Sequence, residues 1–324
     1  MTVHVLGAYI RDSFMYCRAL PRDGESVAAH TLADSDGGKG ANQAVAAARL
    51  GVRVHFIGSV GDDAIGDHAR ELLRREGVGV TGVVRVPDTT TGRSFILVAD
   101  DANQVVATWP GAADALGPPD TDRSLARLVH GDVLSVQGEI PLAVSLHAAR
   151  AAAAARAAVV CNASPVEQFL DHPDPWDDID VLIVNDVEGH DLLGTGAHRP
   201  APPPAEALGA RLGVPTVVVT HGANGATLFD GRTSTHLPAP EVDAVDPTGA
   251  GDAFAGAFAA ELSKGESLYH SCQTAIAVAS YSVTGRFCVP SYPTRKDIEA
   301  IESELAVLSA RPPNSSMKRP MSCP

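Results

Sequence analysis

DAVDPTGAGDAFAGAFAAEL, residues 243–262, changes character halfway along. Up to Asp252 it reads as a loop, because Pro247 is barred from a helix interior and Gly249 and Gly251 allow tight backbone turns. From Ala253 the run reads as a small-residue helix, with Phe254, Phe258 and Leu262 recurring every four positions. The expected arrangement is a glycine loop feeding a helix N-terminus, with Asp252 at the junction. Unpaired N–H groups and a partial positive charge collect at such an end, and small residues let an anion approach. A carboxylate beside them can take a proton from a hydroxyl while the N–H groups hold developing negative charge. Phosphoryl transfer to an alcohol needs that combination. A plain aspartate N-cap is the other reading of the same residue.

Working outward, apolar runs that end on glycine or a polar residue recur along the chain. They lie at residues 3–8, 52–61, 132–137, 157–164, 180–185 and 215–222, and their ends include Gly7, Gly61, Gln137, Asn162, Asn185 and Thr220. Helical segments such as ANQAVAAARL, GDHARELLRREG and PLAVSLHAARAAAAARA lie between them. Strand and helix alternating in this way predict a mostly parallel sheet covered on both faces, with ligands beyond the carboxyl ends of the strands. Residues 26–38 and 92–111 break the rhythm with strand character and no helix between, the second turning as a hairpin at Asp100 to Asn103. They suggest a small appended β-sheet, a lid. The expected division is a main α/β domain over residues 1–8, 37–88 and 112–310, a lid over 9–36 and 89–111, and a disordered tail over 311–324. The proline-rich run at residues 198–207 reads as a surface connection.

Composition removes several classes of function. The 324 residues carry a formal net charge of −14, and Lys and Arg form no long run, which argues against a nucleic-acid or anionic-membrane surface. Cys17, Cys161, Cys272, Cys288 and Cys323 are odd in number and form no CxxC pair, so neither a zinc site nor a disulfide framework is indicated. No apolar leader and no uninterrupted apolar run of membrane-spanning length is visible, and a cytoplasmic protein is expected. Lys39 in GGKGANQ is not a Walker lysine, because Gly40 follows it where Ser or Thr is needed. GVGVTG, residues 77–82, matches GxGxxG but continues into strand-like VVRVP rather than a helix, which counts against a dinucleotide site and an oxidoreductase. Of the twelve histidines, His221, beside VVVTHGANG, is the one to watch.

GGKGANQAVAAARLG at residues 37–51 and DPTGAGDAFAGAF at residues 246–258 together resemble the two signature motifs of the PfkB (ribokinase-like) sugar kinases, with the ribokinase branch closest. The resemblance runs over residues 3–305. It implies a ribokinase-like α/β fold and an ATP-dependent phosphotransferase that moves the γ-phosphate to a hydroxymethyl group of a small, ribose-like pentose. On that basis Asp252 matches the catalytic base, and Gly249, Ala250 and Gly251 match the anion hole. Asn185 and Glu188, in NDVE, match the NxxE motif, with Glu188 arranging Mg²⁺ through water; a helix-capping role is the alternative for this pair. Thr220 and Gly222 match the nucleotide-binding region and Gly225 its turn. Asp12, Gly38, Lys39, Asn42, Glu139 and Asp246 match acceptor contacts, and Asp246 and Ser291 match a site for a monovalent cation, K⁺. A homodimer through the lid is also implied.

Four positions depart from the family pattern. Ile10 stands where the ribokinase branch has an asparagine, which removes hydrogen bonds to a sugar hydroxyl and favours a deoxy sugar or an apolar group there. Phe287 and Cys288 stand near a usual Gly-Ala pair beside the cation, and Pro247 replaces a threonine. Trp109 in the lid hairpin reads either as a stacking platform for a nucleobase or as a lid packing residue. A nucleoside kinase of the same family, and a non-catalytic sugar- or nucleotide-binding protein, are the alternatives.

Overall fold

Seven short apolar strands set the frame. A computed structural model describes residues 1–101, 103–172, 175–196 and 201–300; the expected tail at 311–324 and part of the proline-rich connection lie outside these residues. In chain order the elements are β1 (Thr2–Leu6), β2 (Ile10–Cys17), β3 (Ala29–Gly37), α1 (Lys39–Arg49), β4 (Arg53–Gly61), α2 (Ala64–Arg75), β5 (Val78–Val86), β6 (Gly92–Ala99) and β7 (Gln104–Trp109). They continue with α3 (Pro118–Leu125), β8 (Val133–Gln137), α4 (Leu142–Ala155), β9 (Ala158–Asn162), α5 (Glu167–Leu170), β10 (Val181–Asn185), α6 (Asp186–Leu193), α7 (Ala205–Leu212) and β11 (Thr216–Thr220). The last are β12 (Ala226–Phe229), β13 (Ser234–Leu237), α8 (Ala250–Ser263), α9 (Leu268–Ser282) and α10 (Cys288–Ser291).

The main sheet has the order β13-β12-β11-β10-β9-β8-β1-β4-β5. From β11 to β5 every pairing is parallel, and β12 and β13 add an antiparallel edge. Strands buried on both faces must be apolar throughout, as VLSVQ in β8 nearly is, with all five residues buried. Alternate side chains serve two cores: Val3 and Val5 of β1 pack with α1, α2, α8 and α9, whereas Leu6 packs with the core formed by α3, α4, α6 and α7. GVGVTG falls within β5, so it opens no helix.

Helix α1 packs closely against α8. A Cβ at Gly256 would press on the Gln43 carbonyl oxygen and lie 2.9 Å from the Ala46 methyl, so only glycine lets the helices meet at that depth. Strand and motif then coincide: Gln137 and Asn162, like Asn185 and Thr220, are paired in register at one edge of the parallel sheet, where both helices begin.

A second, four-stranded sheet has the order β3-β2-β6-β7, with β2 and β6 parallel and the outer strands antiparallel. The β6–β7 pair is the expected hairpin. The pleat puts Ile10, Asp12 and Phe14 on one face of this sheet and Arg11, Arg93 and Trp109 on the other, since Arg11 pairs with Arg93 and Arg93 with Trp109.

Candidate active site

Helix α8 begins at Ala250, not at Ala253 as the sequence pattern indicated, so Asp252 lies in its first turn rather than at the junction. Gly249, with φ of 77°, makes the left-handed turn into the helix, and the Tyr292 hydroxyl donates to its carbonyl at 3.0 Å. Gly251 lies in the first turn, where N–H groups have no intrahelical acceptor. No side chain caps this end of the helix.

Asp252 is 6 % exposed. Its Oδ2 accepts from Asn42 Nδ2 at 2.9 Å and its Oδ1 from Gln43 Nε2 at 3.5 Å. Gln43 is the pivot of a buried network that the sequence reading missed. Its Oε1 accepts from Ser135 Oγ at 2.8 Å and Gln137 Nε2 at 2.7 Å, which turns its NH₂ toward Asp252 and Asn162. A polar residue inside the otherwise alanine-rich face of α1 was the signal that could have found it. Burial pushes the Asp252 carboxyl above the usual range, opposed by the Lys39 ammonium and by the Asn42 and Gln43 amides.

Lys39 is the centre of charge. Burial pulls its ammonium down, but Asp252 and Glu139 outweigh that and hold it above its ordinary value. Its backbone N–H, at the start of α1, donates to Glu139 Oε2 at 2.6 Å. Burial raises Glu139 to about 7 against the opposing charge of Lys39. Burial likewise raises Asp12 to about 7, with Ser94 opposing and Asp252 adding to the rise. The Asp12 carboxylate lies directly over Gly37, and Gly38 packs against the backbone of Ala8, Tyr9 and Ile10. Asn42 is 3 % exposed, and its Oδ1 has no protein partner among the described residues.

A cavity of about 200 Å³ opens over Asp252 and Lys39, lined also by Asn162, Glu188, Thr220 and Gly251 among others, with Asp12, Asn42 and Glu139 outside its lining. Asn185 and Glu188 form a reciprocal capping box at the start of α6: Glu188 N–H donates to Asn185 Oδ1 at 2.9 Å and Asn185 N–H to Glu188 Oε2 at 2.8 Å. The capping alternative is therefore realised, and both residues still line the cavity. A second cavity of about 760 Å³ lies on the other side of the α8 terminus, lined by Gly222, Ala223, Val242, Ala250, Ser280 and Val283 among others. Gly225 lines neither; a Cβ there would strike the Leu237 carbonyl, so it shapes the turn. His221 is held between Asp186 Oδ1 (2.6 Å) and Thr227 Oγ1 (2.8 Å), tying the β11 loop to α6.

Asp246 and Ser291 are not among the residues lining the cavity over Asp252. Asp246 braces its own loop, with Oδ1 accepting from Thr248 N–H at 3.0 Å and Oδ2 from Phe287 N–H at 2.9 Å. Ser291 donates to the Cys288 carbonyl at 2.9 Å. Trp109 is 58 % exposed on the sheet face opposite Asp12, with its Nε1 on Thr90 Oγ1 at 3.2 Å, so it does not face the site of its own chain. Elsewhere, Glu261, Glu266 and His270 approach one another, with Glu266 and His270 at helical spacing that the sequence reading passed over. The Glu261 carboxylate is engaged by Lys264 and Arg295, both through Oε1.

No helix among the described residues is long and apolar enough to cross a membrane. The family model of the pfkB family carbohydrate kinases matches residues 2–295. The deoxyribokinase of Salmonella typhi is 33 % identical over 298 residues, covering 91 % of this chain and 96 % of that one. The ribokinase of Haemophilus influenzae is 32 % identical over 297 residues, with the same shares of each chain covered. The structure of Arabidopsis thaliana ribokinase complexed with ribose and ATP superposes with a TM-score of 0.82 at 30 % identity, covering 92 % of this chain and 97 % of that one. With a family model spanning nearly the whole described chain and a matching two-sheet fold, the chain belongs to the pfkB family of ATP-dependent carbohydrate kinases, closest to its ribokinase branch.

Proposed function

We propose that the protein transfers the γ-phosphate of ATP to the hydroxymethyl group of a ribose-like pentose, with Asp252 as general base. One observation carries this reading: a buried carboxylate, raised above its ordinary range and aimed by two amides, at an uncapped helix N-terminus in a cavity shared with Lys39, Glu188 and Thr220. Asp252 would take the hydroxyl proton as the oxygen bonds to phosphorus and the bond to the ADP oxygen breaks. The amides of Gly249, Ala250 and Gly251 would hold the equatorial charge, that of Ala250 giving up its 3.2 Å bond to the Pro247 carbonyl. The nucleotide would lie across the α8 terminus, phosphates toward Thr220 and the remainder in the cavity lined by Gly222.

Asn185 and Glu188 fit Mg²⁺, since Glu188 keeps one carboxylate oxygen free of the capping box and the ion needs few protein ligands. Bound there, the ion would neutralise charge on the phosphates. K⁺ would sit beside Asp246 and Ser291, since each Asp246 oxygen keeps a lone pair beyond its single N–H bond. For the acceptor we assign Asp12, Gly38, Lys39, Asn42 and Glu139, and the buried Asn42 Oδ1, which has no partner among the described residues, would accept from a sugar hydroxyl. Ile10, 3 % exposed on the Asp12 face, offers no such partner, which favours a 2-deoxy pentose over ribose. The second sheet would close over the acceptor and exclude water. Its outward face exposes Leu32, Phe95, Val105 and Trp109, and we assign it to a homodimer contact; a monomer mass on gel filtration would overturn that assignment.

The test is Mg-ATP turnover on 2-deoxyribose, ribose, fructose and several nucleosides, with and without potassium. Turnover greatest on a pentose supports the reading, and turnover confined to nucleosides replaces it with the nucleoside-kinase alternative. Nucleotide binding with no transfer to any acceptor in the panel refutes it in favour of a binding protein.

A further inference from the structure

Phe287 holds a backbone conformation that a bulky side chain rarely takes, with φ of 63° and ψ of 172°. Two contacts keep it there. Its N–H donates to Asp246 Oδ2 at 2.9 Å, and Asp246 Oδ1 in turn accepts from Thr248 N–H, the residue before Gly249. Its ring meets Phe14 with centroids 5.3 Å apart at 59°, a tilted pair of the favourable kind. Phe14 is 7 % exposed and lies on β2, on the same face as Ile10 and Asp12. The segment carrying Phe287 is also fastened to Gly249 by the Tyr292 hydroxyl, and the Cys288 sulfur packs beside Gly249.

We infer that Phe287 is a positioning residue that seats the small sheet on the anion-hole loop, so that the strand bearing Asp12 and the turn bearing Gly249 move as one. The chain of contacts runs Phe14 ring, Phe287 ring, Phe287 N–H, Asp246 carboxylate, Thr248 N–H. It fixes the acceptor's wall relative to the place where phosphate would be held. This inference rests on the proposed function for its meaning in turnover, but its physical content, coupling between two segments, is measurable without any substrate.

The experiment is amide hydrogen exchange on the full chain with Phe287→Leu, Phe287→Gly, Phe287→Tyr and Phe14→Leu. Phe287→Gly suits the positive φ and so keeps the backbone while removing the ring. Expected is faster exchange both in residues 10–17 and in residues 248–252 for the Leu and Gly variants, with Phe287→Tyr close to wild type. Faster exchange confined to residues 284–291, or none, overturns the inference. Where a pentose is turned over, Phe287→Leu should raise acceptor KM by about fivefold, the scale an aromatic pair sets, with ATP KM within about twofold. The Phe14→Leu/Phe287→Leu double variant should be no worse than either single, and additive losses would likewise overturn it. If no acceptor is turned over by the wild type, the proposed function fails while the exchange result still decides the coupling.

Discussion

Replacing Asp252 by asparagine keeps the size of the side chain and removes its charge, which separates the chemical role from packing. The asparagine oxygen can still accept from Asn42 Nδ2, the shorter of the two bonds at 2.9 Å, leaving its NH₂ toward Gln43 Nε2, now 3.5 Å away. That donor–donor contact is loose and costs little, while loss of a buried charge relieves desolvation. Lys39 keeps Glu139 as its counter-charge. Folding stability should therefore move by no more than about 1 kcal/mol, a melting shift of roughly 1.5 °C for a chain of this size. The rate is another matter. A positioned general base contributes about 10²–10⁴-fold, or ~2.7–5.5 kcal/mol at ~1.36 kcal/mol per factor of ten. The assay is ADP release at saturating Mg-ATP and pentose, with nucleotide affinity and melting temperature measured on the same preparation. We expect kcat to fall at least about 100-fold with nucleotide affinity retained. A kcat within about threefold of wild type, in a folded and nucleotide-binding variant, would refute Asp252 as base.

Three further outcomes follow from the packing and the charges. Gly256→Ala forces a methyl against the Gln43 carbonyl and the Ala46 methyl, so chemical denaturation should show a loss of about 1–3 kcal/mol together with a reduced kcat; unchanged stability would contradict the close approach of α1 and α8. Gly249→Ala must adopt φ of 77° with its Cβ 2.6 Å from the Cys288 sulfur and 2.7 Å from the Tyr292 hydroxyl, and phosphoryl transfer should fall about 100-fold or more; near-normal turnover would remove this turn from the anion hole. Asp12 and Glu139 ionise near 3.8 and 4.5 when free but near about 7 in the fold, so their contribution to stability is full below about pH 4 and is lost as pH rises through about 7. Urea midpoints of the ligand-free protein at pH 5, 6 and 8 should fall with pH, each group adding up to ~1.4 kcal/mol per pH unit, and Glu139→Gln should flatten the trend. An equally steep trend in Glu139→Gln would show that the slope comes from other groups.

The parts of the fold set by local pattern were legible in the residues. Apolar runs ending at Gln137, Asn162, Asn185 and Thr220 became parallel strands with those residues at one edge, because a strand buried on both faces leaves polar side chains nowhere to sit but its ends. The two glycine motifs led to the two helix starts that frame Asp252. What the residues did not disclose depends on long-range contact. Gln43 reads as an ordinary polar position until Ser135, Gln137 and Asn162, distant in sequence, arrive around it. The start of α8 was misjudged because glycine lowers helix propensity locally, while the turn at Gly249 is held by Tyr292 from another segment. Phe287 likewise has a positive φ that only its partners Asp246 and Phe14 make tenable.

The two sheets also divide inheritance. Asp252, Lys39 and their amide network hang on helices and strands of the nine-stranded sheet, whereas Ile10, Asp12 and Ser94 come from the four-stranded one. Under the proposed function, a substitution at Ile10 or Ser94, away from the Phe14–Phe287 contact, would alter which molecule is accepted while the amide network around Asp252 keeps its bonds. On that reading, acceptor preference would be open to change by rewriting a few β2 and β6 side chains, with the residues that would move the proton left alone.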